Sequence, residues 1–302
     1  MKIAVIGSGY WGSKIASTLN TIGHQSQIID VKNEQTIDDI DDCEAAIVAT
    51  PARDHFTTTM KLLKKGLHCL VEKPIATKYN EVLTLKVEAQ EHELTLMAGH
   101  VLCYSELVHN LKMIYLQENI LHIESRRLNW GRIQYDISPI LHLAPHDVAV
   151  LDYVFDGAMP ESVTSKGYRF NSREYPDYVV SDLDYGDFTV QLQMGWYYPV
   201  KTRTITTTTN QGHYIWNDLE GSWKFIANYM SGKYQKTNED MNTHYIDTKE
   251  KTPVANEIEH FIDCVINKKT PITGGEHALR VTHIIDHMER SLKIEEPCTI
   301  VY

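Results

Sequence analysis

The chain has 302 residues, a length typical of two domains, and its 42% hydrophobic and 23% charged residues form a globular composition rather than a disordered one. Its net charge of −11 at pH 7 argues against a protein that mainly binds nucleic acid or an anionic membrane, and no apolar run is long enough to cross a membrane. The five cysteines are scattered without a CxxC pair, which favours reduced thiols in the cytoplasm over a disulfide framework. We expect no secretory signal, since MKIAVIGSGYWG runs directly into an apolar strand and a glycine loop.

Alternating strand and helix patterns run through the first hundred residues. Ile3–Ile6 and Ala45–Ala49 are apolar runs of the kind found in strands that are buried on both faces. The pattern predicts strands at 3–6, 27–30, 45–49, 67–71 and 94–98, and helices at 13–19, 56–65 and 79–92. Such a rhythm predicts a parallel sheet covered by helices, which is an α/β fold.

The pattern changes near residue 118. Strands rich in Thr, Tyr, Val and Trp are expected at 120–130, 162–170, 178–185, 187–197, 202–209 and 213–217. Helices are expected at about 144–155, 254–267 and 276–292. We therefore predict two domains, 1–118 and 119–302, the second being a substrate-binding α+β domain with a largely antiparallel open sheet.

A glycine-rich motif, Gly7-Ser8-Gly9-Tyr10-Trp11-Gly12, follows the first strand and opens a helix. In such a GxGxxG motif the glycines allow a tight turn, close approach of a pyrophosphate and close packing of helix on strand, while the helix N-terminus offers N–H groups to the phosphates. A purely structural turn is the alternative. We interpret residues 1–118 as a Rossmann dinucleotide-binding domain, and the cofactor contacts at this loop are predicted at Gly7, Gly9, Tyr10, Trp11 and Gly12.

Asp30 stands at the end of the second predicted strand, 21 residues after Gly9. A carboxylate there can accept hydrogen bonds from the ribose hydroxyls of the cofactor and would repel a 2′-phosphate. The alternative is a strand-end aspartate that caps a turn. The residue favours NAD over NADP.

The third predicted strand ends at Thr50 and Pro51, at the carboxyl edge where ligands of open α/β sheets bind. We place both residues at the cofactor, although a turn would explain Pro51 equally well. His55 opens the following helix, where it either contacts the cofactor or closes the turn.

The fourth predicted strand ends at Glu72-Lys73-Pro74. Lys73 would direct its ammonium group towards the ligand, where it could hold a substrate hydroxyl or lower the pKa of that hydroxyl. A surface lysine before a turn proline is the alternative. We assign Glu72 and Lys73 to the cofactor side and Lys73 also to the substrate side.

Two histidines, His142 and His146, flank Pro145 in the second domain. Because proline is typical of a first helical turn, we predict His146 in that turn and His142 at or just before it. The helix N-terminus would keep His146 neutral and able to take the proton of an alcohol during hydride transfer. The alternatives are a metal site and a purely structural role for the two histidines. Against a metal site, no third ligand follows at a suitable spacing. We predict no metal.

Taken together, these residues resemble the Gfo/Idh/MocA family of nicotinamide-dependent sugar oxidoreductases over nearly the whole chain. The resemblance is carried by the glycine loop, Asp30, Ala49-Thr50-Pro51, Glu72-Lys73-Pro74, Gly99-His100 and Ala144–Asp147. It implies that Lys73 and His146 are the catalytic pair, with His142 beside them, and that His100 lies on the substrate side. It also implies a homo-oligomer formed through the open face of the second sheet.

Residues Asn129–Gln134 (NWGRIQ) are similar to a branch of this family that oxidises the C3 hydroxyl of UDP-N-acetylhexosamines or their uronates. That resemblance implies substrate contacts at Asn129 and Arg132. The chain departs from the family in having His142 where an aspartate is usual, and Ala144 where a glycine is usual.

Three functions follow from these patterns. The first is an NAD-dependent dehydrogenase of a nucleotide sugar. The second is a dehydrogenase of the same fold that acts on a free polyol or aldose. The third is an NAD-binding sensor without turnover, which the intact Lys73 and His146 disfavour and the histidine at position 142 favours.

Overall fold

The computed structural model describes residues 1–30, 35–131, 133, 137–171, 174–227, 230–231, 234–235, 242–245 and 252–295. The chain folds into two compact units. Unit 1 comprises Met1–Ser105 with Lys249–His283, and unit 2 comprises Glu106–Thr248 with Ile284–Tyr302.

Helices and strands alternate early in the chain, whereas strands dominate later. The helices of the described residues are α1 (Tyr10–Thr21), α2 (His55–Lys64), α3 (Tyr79–Glu91), α4 (Glu106–Gln117), α5 (Pro139–Val154), α6 (Pro253–Asn267) and α7 (Gly275–Ser291). The strands are β1 (Lys2–Ile6), β2 (Gln25–Ile29), β3 (Ala45–Val48), β4 (His68–Glu72), β5 (Leu96–Gly99), β6 (Ile120–Trp130), β7 (Ser162–Tyr168), β8 (Tyr178–Asp184), β9 (Thr189–Gly195), β10 (Tyr197–Thr209), β11 (Gly212–Asn217), β12 (Ser222–Ala227), β13 (Met230–Ser231), β14 (Tyr234–Gln235), β15 (Asn242–Tyr245) and β16 (Leu292–Glu295).

Unit 1 is built on a parallel sheet with the strand order β2-β1-β3-β4-β5. The register aligns Ile6 with both Ile29 and Val48, and Glu72 with Gly99. The loops that follow these residues therefore leave the same edge of the sheet, where ligands of such sheets bind. The expected α/β fold with a covered parallel sheet is confirmed.

The C-terminal part of the chain completes unit 1. The backbone N–H of Ala98 donates to the carbonyl of Thr273 at 2.8 Å, and Met97 forms an antiparallel bridge with Gly274, so this segment extends the sheet beside β5. Ala278 of α7 belongs to the buried core that the sheet forms with its helices. Helix α6 packs against α1 and against the short 3-10 turn Val101–Tyr104.

Unit 2 contains a nine-stranded sheet with the order β15-β12-β11-β10-β6-β9-β8-β7-β16. Its neighbouring strands are antiparallel except for β6 with β9 and β7 with β16. Helix α5 packs on β8 and β9 and also contacts α4. The predicted antiparallel α+β architecture is confirmed, including the strand through Thr206–Thr209.

The compact units divide the chain differently from the predicted boundary between residues 118 and 119. Helix α4 belongs with unit 2, where it packs on α5, and α6 belongs with unit 1. Sequence pattern locates elements along the chain, but it does not show that the chain returns to an earlier sheet. The return depends on backbone hydrogen bonds between residues far apart in the sequence, such as Ala98 and Thr273.

Four cysteines lie in the described residues, and none of these four forms a disulfide. No helix of the described chain is long and apolar enough to span a membrane.

Candidate active site

The three glycines of the loop differ in what a side chain would meet at each position. Gly7 has a φ of +110°, and a Cβ there would lie 2.7 Å from the carbonyl oxygen of Ala49. A Cβ on Gly12 would lie 1.9 Å from the carbonyl oxygen of Gly7, because α1 approaches the loop closely. At Gly9, in contrast, no atom of the described residues lies within 4 Å of an added Cβ.

The open space at Gly9 stands where helix α1 begins. Gly9 is the N-cap of α1 and lacks a side-chain cap, so the first N–H groups of the helix are directed to whatever occupies that space. This combination fits a pyrophosphate, which needs free N–H donors and close backbone approach. The Thr50 hydroxyl is also buried and has no hydrogen-bond partner among the described residues, so it retains hydrogen-bonding capacity for a ligand. These residues fit a dinucleotide.

Gly9→Ala and Gly12→Ala are expected to separate cofactor binding from folding. Gly9→Ala should leave the free energy of unfolding within about 1 kcal/mol of wild type but raise the NAD dissociation constant by about tenfold or more, because the new methyl group enters only the ligand's space. Gly12→Ala should lower stability, since its methyl group meets backbone. Urea unfolding and NAD titration of both variants check this. A Gly9→Ala protein that binds NAD as wild type does would contradict the assignment of the loop.

Asp30 follows β2 and lies beside the glycine loop. The Ser8 hydroxyl donates a hydrogen bond to the Asp30 carboxylate, and the backbone N–H of Asp30 donates to the side chain of Gln35 at 3.1 Å. The residue is 8% exposed. The carboxylate is thus held in place next to the loop, as a group that accepts ribose hydroxyls would be.

His55 is placed differently from a cofactor ligand. It is 1% exposed, and its Nδ1 and Nε2 lie 2.7 Å and 2.8 Å from the carbonyl oxygens of Pro74 and Thr50. Burial lowers the pKa of His55, while the two carbonyl contacts oppose that shift. Of the two predicted roles, the structure supports the closing of a turn: His55 ties the segment after β3 to the segment after β4.

Glu72 and Lys73 stand where β4 ends. The indole N–H of Trp11 donates a hydrogen bond to the carboxylate of Glu72, so the glycine loop is attached directly to this strand end. Desolvation raises the pKa of Glu72 to about 7, against the opposing effects of Trp11 and of the charge and backbone N–H of Lys73. The Lys73–Pro74 peptide bond is cis.

His100, predicted as a substrate contact, is buried in unit 1. It is 4% exposed, and its Nδ1 lies 2.9 Å from Nε2 of His277, which is 3% exposed. The two rings meet edge to face. The structure therefore places His100 in a histidine pair between the carboxyl end of β5 and the first turn of α7, an arrangement that the local sequence Gly99-His100 does not indicate.

The helix that carries His142 and His146 begins earlier than predicted. Ser138 is its N-cap, with a hydroxyl that accepts from the N–H of Leu141, and Pro139 occupies the first turn. Pro145 therefore lies inside α5. His142 is in the first turn and His146 is one turn further along. The prediction that His146 lies at the helix N-terminus is wrong, and with it the argument that the helix dipole keeps His146 neutral.

His142 and His146 lie at i and i+4, so they share one face of α5. Both are half-buried. The indole N–H of Trp196 donates to Nδ1 of His142 at 3.3 Å, which requires that nitrogen to be unprotonated. Among the described residues no group of three histidine, cysteine, aspartate or glutamate side chains could hold a metal ion.

The neighbouring Asp147 is part of a buried network that the sequence pattern does not predict. Its carboxylate accepts two hydrogen bonds from the guanidinium of Arg127, at 2.8 and 2.9 Å, and a third from the hydroxyl of Ser125 at 3.0 Å. Arg127 and Ser125 share the buried face of β6 with Ile123. The sequence does contain one indication of this network, namely that Arg127 occupies an inward-facing position of an alternating strand. This network fixes the part of α5 that carries His146.

Of the two predicted substrate contacts at and after the end of β6, the structure describes one. Asn129 is half-buried near the end of β6, and Arg132 lies outside the described residues. Beside Asn129, Trp130 is 69% exposed and its ring meets that of Tyr197 edge to face.

Part of unit 1 matches a known protein family. The family described as "Oxidoreductase family, NAD-binding Rossmann fold" (GFO_IDH_MocA) matches residues 24–100. A 2,7-anhydro-N-acetylneuraminate hydratase of Mediterraneibacter gnavus is 27% identical over 54% of this chain and 51% of that protein. The chain thus spans about half the length of that relative.

Two further proteins are similar over nearly the full chain. The UDP-N-acetylglucosamine 3-dehydrogenase of Acidithiobacillus ferrooxidans is 22% identical over 93% of this chain and 94% of its own. A solved structure of that enzyme, GnnA, superposes with a TM-score of 0.85, at 19% identity and 97% coverage of both chains. GenD2 from gentamicin A biosynthesis, solved in complex with NAD, gives a TM-score of 0.79 at 16% identity over 96% of this chain and 93% of its own. At these identities the structures show that the fold is shared.

Proposed function

Since the chain carries a domain of the Gfo/Idh/MocA oxidoreductase family, whose fold is an NAD-binding Rossmann fold, we propose that it is an NAD-dependent dehydrogenase of a sugar hydroxyl. The observation that carries the proposal is the carboxyl edge of the unit 1 sheet. There an open space at Gly9 faces a helix N-terminus, Asp30 stands beside the loop, and the buried Thr50 hydroxyl lacks a partner among the described residues.

The residues of the proposed site have defined tasks in the reaction. The N–H groups at the start of α1 would bind the pyrophosphate of NAD, and the Asp30 carboxylate would accept hydrogen bonds from the adenosine ribose. Bound NAD would supply the hydride acceptor. Lys73 holds the substrate hydroxyl and stabilises negative charge on its oxygen, and His146 takes its proton. The resemblance to the family supports this division of labour between Lys73 and His146.

Asp30→Ala is expected to remove the preference for NAD over NADP. In wild type, the carboxylate beside a 2′-phosphate should weaken NADP binding by about 5- to 150-fold, which corresponds to about 1–3 kcal/mol. Dissociation constants of NAD and NADP for wild type and Asp30→Ala check this. Asp54→Ala, at a partly exposed aspartate of the same unit, is the matched control. Equal affinity of the wild-type protein for both cofactors would contradict the prediction.

We propose that the substrate is a UDP-N-acetylhexosamine or its uronate, oxidised at C3. Similarity over nearly the whole chain to a UDP-N-acetylglucosamine 3-dehydrogenase supports this choice, as does the resemblance of residues 129–134 to that branch. Arg132 would pair with a diphosphate oxygen, for which guanidinium is well suited.

A panel of UDP-sugars, free aldoses and free polyols, each with NAD, tests the substrate. Turnover with UDP-N-acetylhexosamines and none with free sugars is expected. Turnover with free polyols alone would establish the second function, a polyol dehydrogenase. NAD binding without NADH formation across the whole panel would favour the sensor.

A homo-oligomer formed through the nine-stranded sheet of unit 2 stays a prediction. Light scattering at several protein concentrations measures the mass in solution and decides it.

A further inference from the structure

A buried tryptophan of unit 2 contacts one of the two histidines of α5. Trp196 lies between β9 and β10 and is 1% exposed. Its indole N–H donates to Nδ1 of His142 at 3.3 Å, and the centroids of the two rings lie 5.8 Å apart, with 46° between the ring planes. The reaction steps described above give Trp196 no task.

The backbone holds Trp196 in place. Its N–H donates to the carbonyl of Asp177 at 3.0 Å. Asp177 is itself fully buried, and its carboxylate accepts from the N–H groups of Phe170 and Asn171, at 2.8 and 3.0 Å. A Cβ on the preceding Gly195 would lie 3.0 Å from the same carbonyl oxygen of Asp177, so the two segments run close together. A large buried side chain anchored in this way can hold a neighbouring ring in one orientation.

The direction of the hydrogen bond determines which nitrogen of His142 carries the proton. An indole N–H can only donate, so Nδ1 must accept, and the proton of the neutral ring is on Nε2. If the proton were on Nδ1 instead, two N–H groups would face each other, and the buried indole would lose the acceptor that the structure gives it. A buried donor without an acceptor is costly, so this contact selects the Nε2–H form of the ring.

His142 lies one turn before His146 on the same face of α5. The buried network of Asp147 fixes the part of the helix that carries His146, and Trp196 fixes the ring of His142. A substrate hydroxyl has one proton and two lone pairs. When His146 takes that proton, negative charge develops on the hydroxyl oxygen, and a donor placed at a lone pair stabilises this charge.

We propose that Trp196 is a positioning residue: its indole N–H holds His142 as a neutral ring that offers its Nε2–H to the substrate oxygen from which His146 takes the proton. His142 is thereby a hydrogen-bond donor in the reaction and not a second base. The effect on turnover rests on the proposed function, whereas the tautomer of His142 does not.

The tautomer of His142 can be measured by ¹⁵N NMR on the full chain without cofactor. At about pH 8, a histidine with an ordinary pKa of about 6.5 is neutral. Nδ1 of His142 should then resonate as an unprotonated nitrogen and Nε2 as a protonated one, and both signals are assigned by their loss in His142→Gln. A protonated Nδ1 in the wild-type protein would overturn the proposal, and this result needs no variant of Trp196 to fold.

Trp196→Phe removes the indole N–H and keeps an aromatic ring in its place. The Nδ1–H form of His142 should then gain population, so that the averaged shifts of the two nitrogens move towards each other. Trp216→Phe is the matched control, because Trp216 is also buried in unit 2 and its indole N–H has no hydrogen-bond partner among the described residues. The control should leave both shifts in place. Unchanged shifts in Trp196→Phe would show that the indole does not select the tautomer, and would overturn the proposal.

Steady-state kinetics test the consequence for the reaction. His142→Leu removes the donor and should lower kcat by about 10²-fold or more, the usual cost of losing a donor to a developing oxyanion. His142→Gln keeps an N–H group in a similar place and should recover most of that loss. Trp196→Phe should lower kcat by about 3- to 30-fold in the wild-type background. In the His142→Leu background it should cost less than about twofold, because no ring remains to be positioned.

The double variant separates positioning from packing. If Trp196→Phe lowered kcat by the same factor in both backgrounds, Trp196 would serve only to pack the sheet, and the proposal would be overturned. Equal kcat values for His142→Gln and His142→Leu would overturn the assignment of His142 as a donor. If no substrate gave NADH with the wild-type protein, the proposed function would fail, while the nitrogen shifts would still decide whether Trp196 selects the tautomer of His142.

Discussion

Lys73→Ala and His146→Ala should each lower kcat by about 10²- to 10⁴-fold, the usual cost of removing a general acid or base. The NAD dissociation constant should change by less than about threefold. His146 is assigned only to the substrate, and Lys73, although predicted on the cofactor side, is not assigned to the phosphates or ribose. The loss of kcat is expected because the substrate alcohol must give up its hydroxyl proton when its C–H bond transfers a hydride. Lys73 and His146 are the side chains that we assign to that hydroxyl.

Steady-state kinetics and NAD titration of both variants check this expectation. Lys64→Ala and His92→Ala replace exposed side chains on α2 and just after α3, and serve as controls of matched type. Both controls should turn over as wild type does. Near-normal turnover of Lys73→Ala and His146→Ala on the true substrate would show that the catalytic pair is assigned wrongly.

The largest expected loss of stability is at Asp147. Asp147→Ala leaves the guanidinium of Arg127 buried without its bidentate partner, and Arg127 is only 7% exposed. Breaking a buried ion pair by removing one partner costs about 3–5 kcal/mol. We therefore expect the free energy of unfolding, measured with urea, to fall by that amount.

Two controls show whether burial causes the effect. Arg126 and Glu124 form an exposed ion pair on the same strand, at 2.9 Å, so Arg126→Ala should cost less than about 1 kcal/mol. The double variant Arg127→Met with Asp147→Leu should recover most of the lost stability, because a well-packed apolar pair replaces buried charges without a desolvation penalty. A loss at Asp147→Ala no larger than at Arg126→Ala would contradict the account of this network.

The features that local sequence predicts well are those set by contiguous residues. The loop from Gly7 to Gly12 is predictable because strand, turn and helix follow one another directly, and each constrains the next. Strand β6 has the bounds that the sequence predicts, Ile120–Trp130, because β-branched and aromatic residues mark it at both ends. The position of Asp30 follows in the same way from the end of the second strand.

The predicted start of α5 is wrong although its signal is local. Ser138 followed by Pro139 is an N-cap with proline in the first turn, whereas the prediction places the start near Pro145. A proline inside a helix is costly, and α5 tolerates it in a buried helix whose other contacts hold it in place. If the helix is taken to begin at the Ser138-Pro139 pair, His146 is correctly predicted one turn beyond the helix N-terminus.

Contacts between distant parts of the chain have no local signal. The pairing of His100 with His277, the burial of Glu257 and the return of residues 273–274 to β5 depend on the tertiary fold. A lone glutamate on an amphipathic helix gives no sign that its carboxyl group will be buried. The burial and the hydrogen-bond partners of such a residue can be read only from the three-dimensional structure.

Hydride transfer from a sugar carbon to NAD is tested most directly with a UDP-N-acetylhexosamine that carries deuterium at C3. Incubated with the protein and NAD, it should yield NADH that contains one deuterium per molecule by mass spectrometry, together with the 3-keto sugar. NADH without deuterium would contradict oxidation at C3, and the absence of any NADH would contradict the proposed dehydrogenation of this substrate.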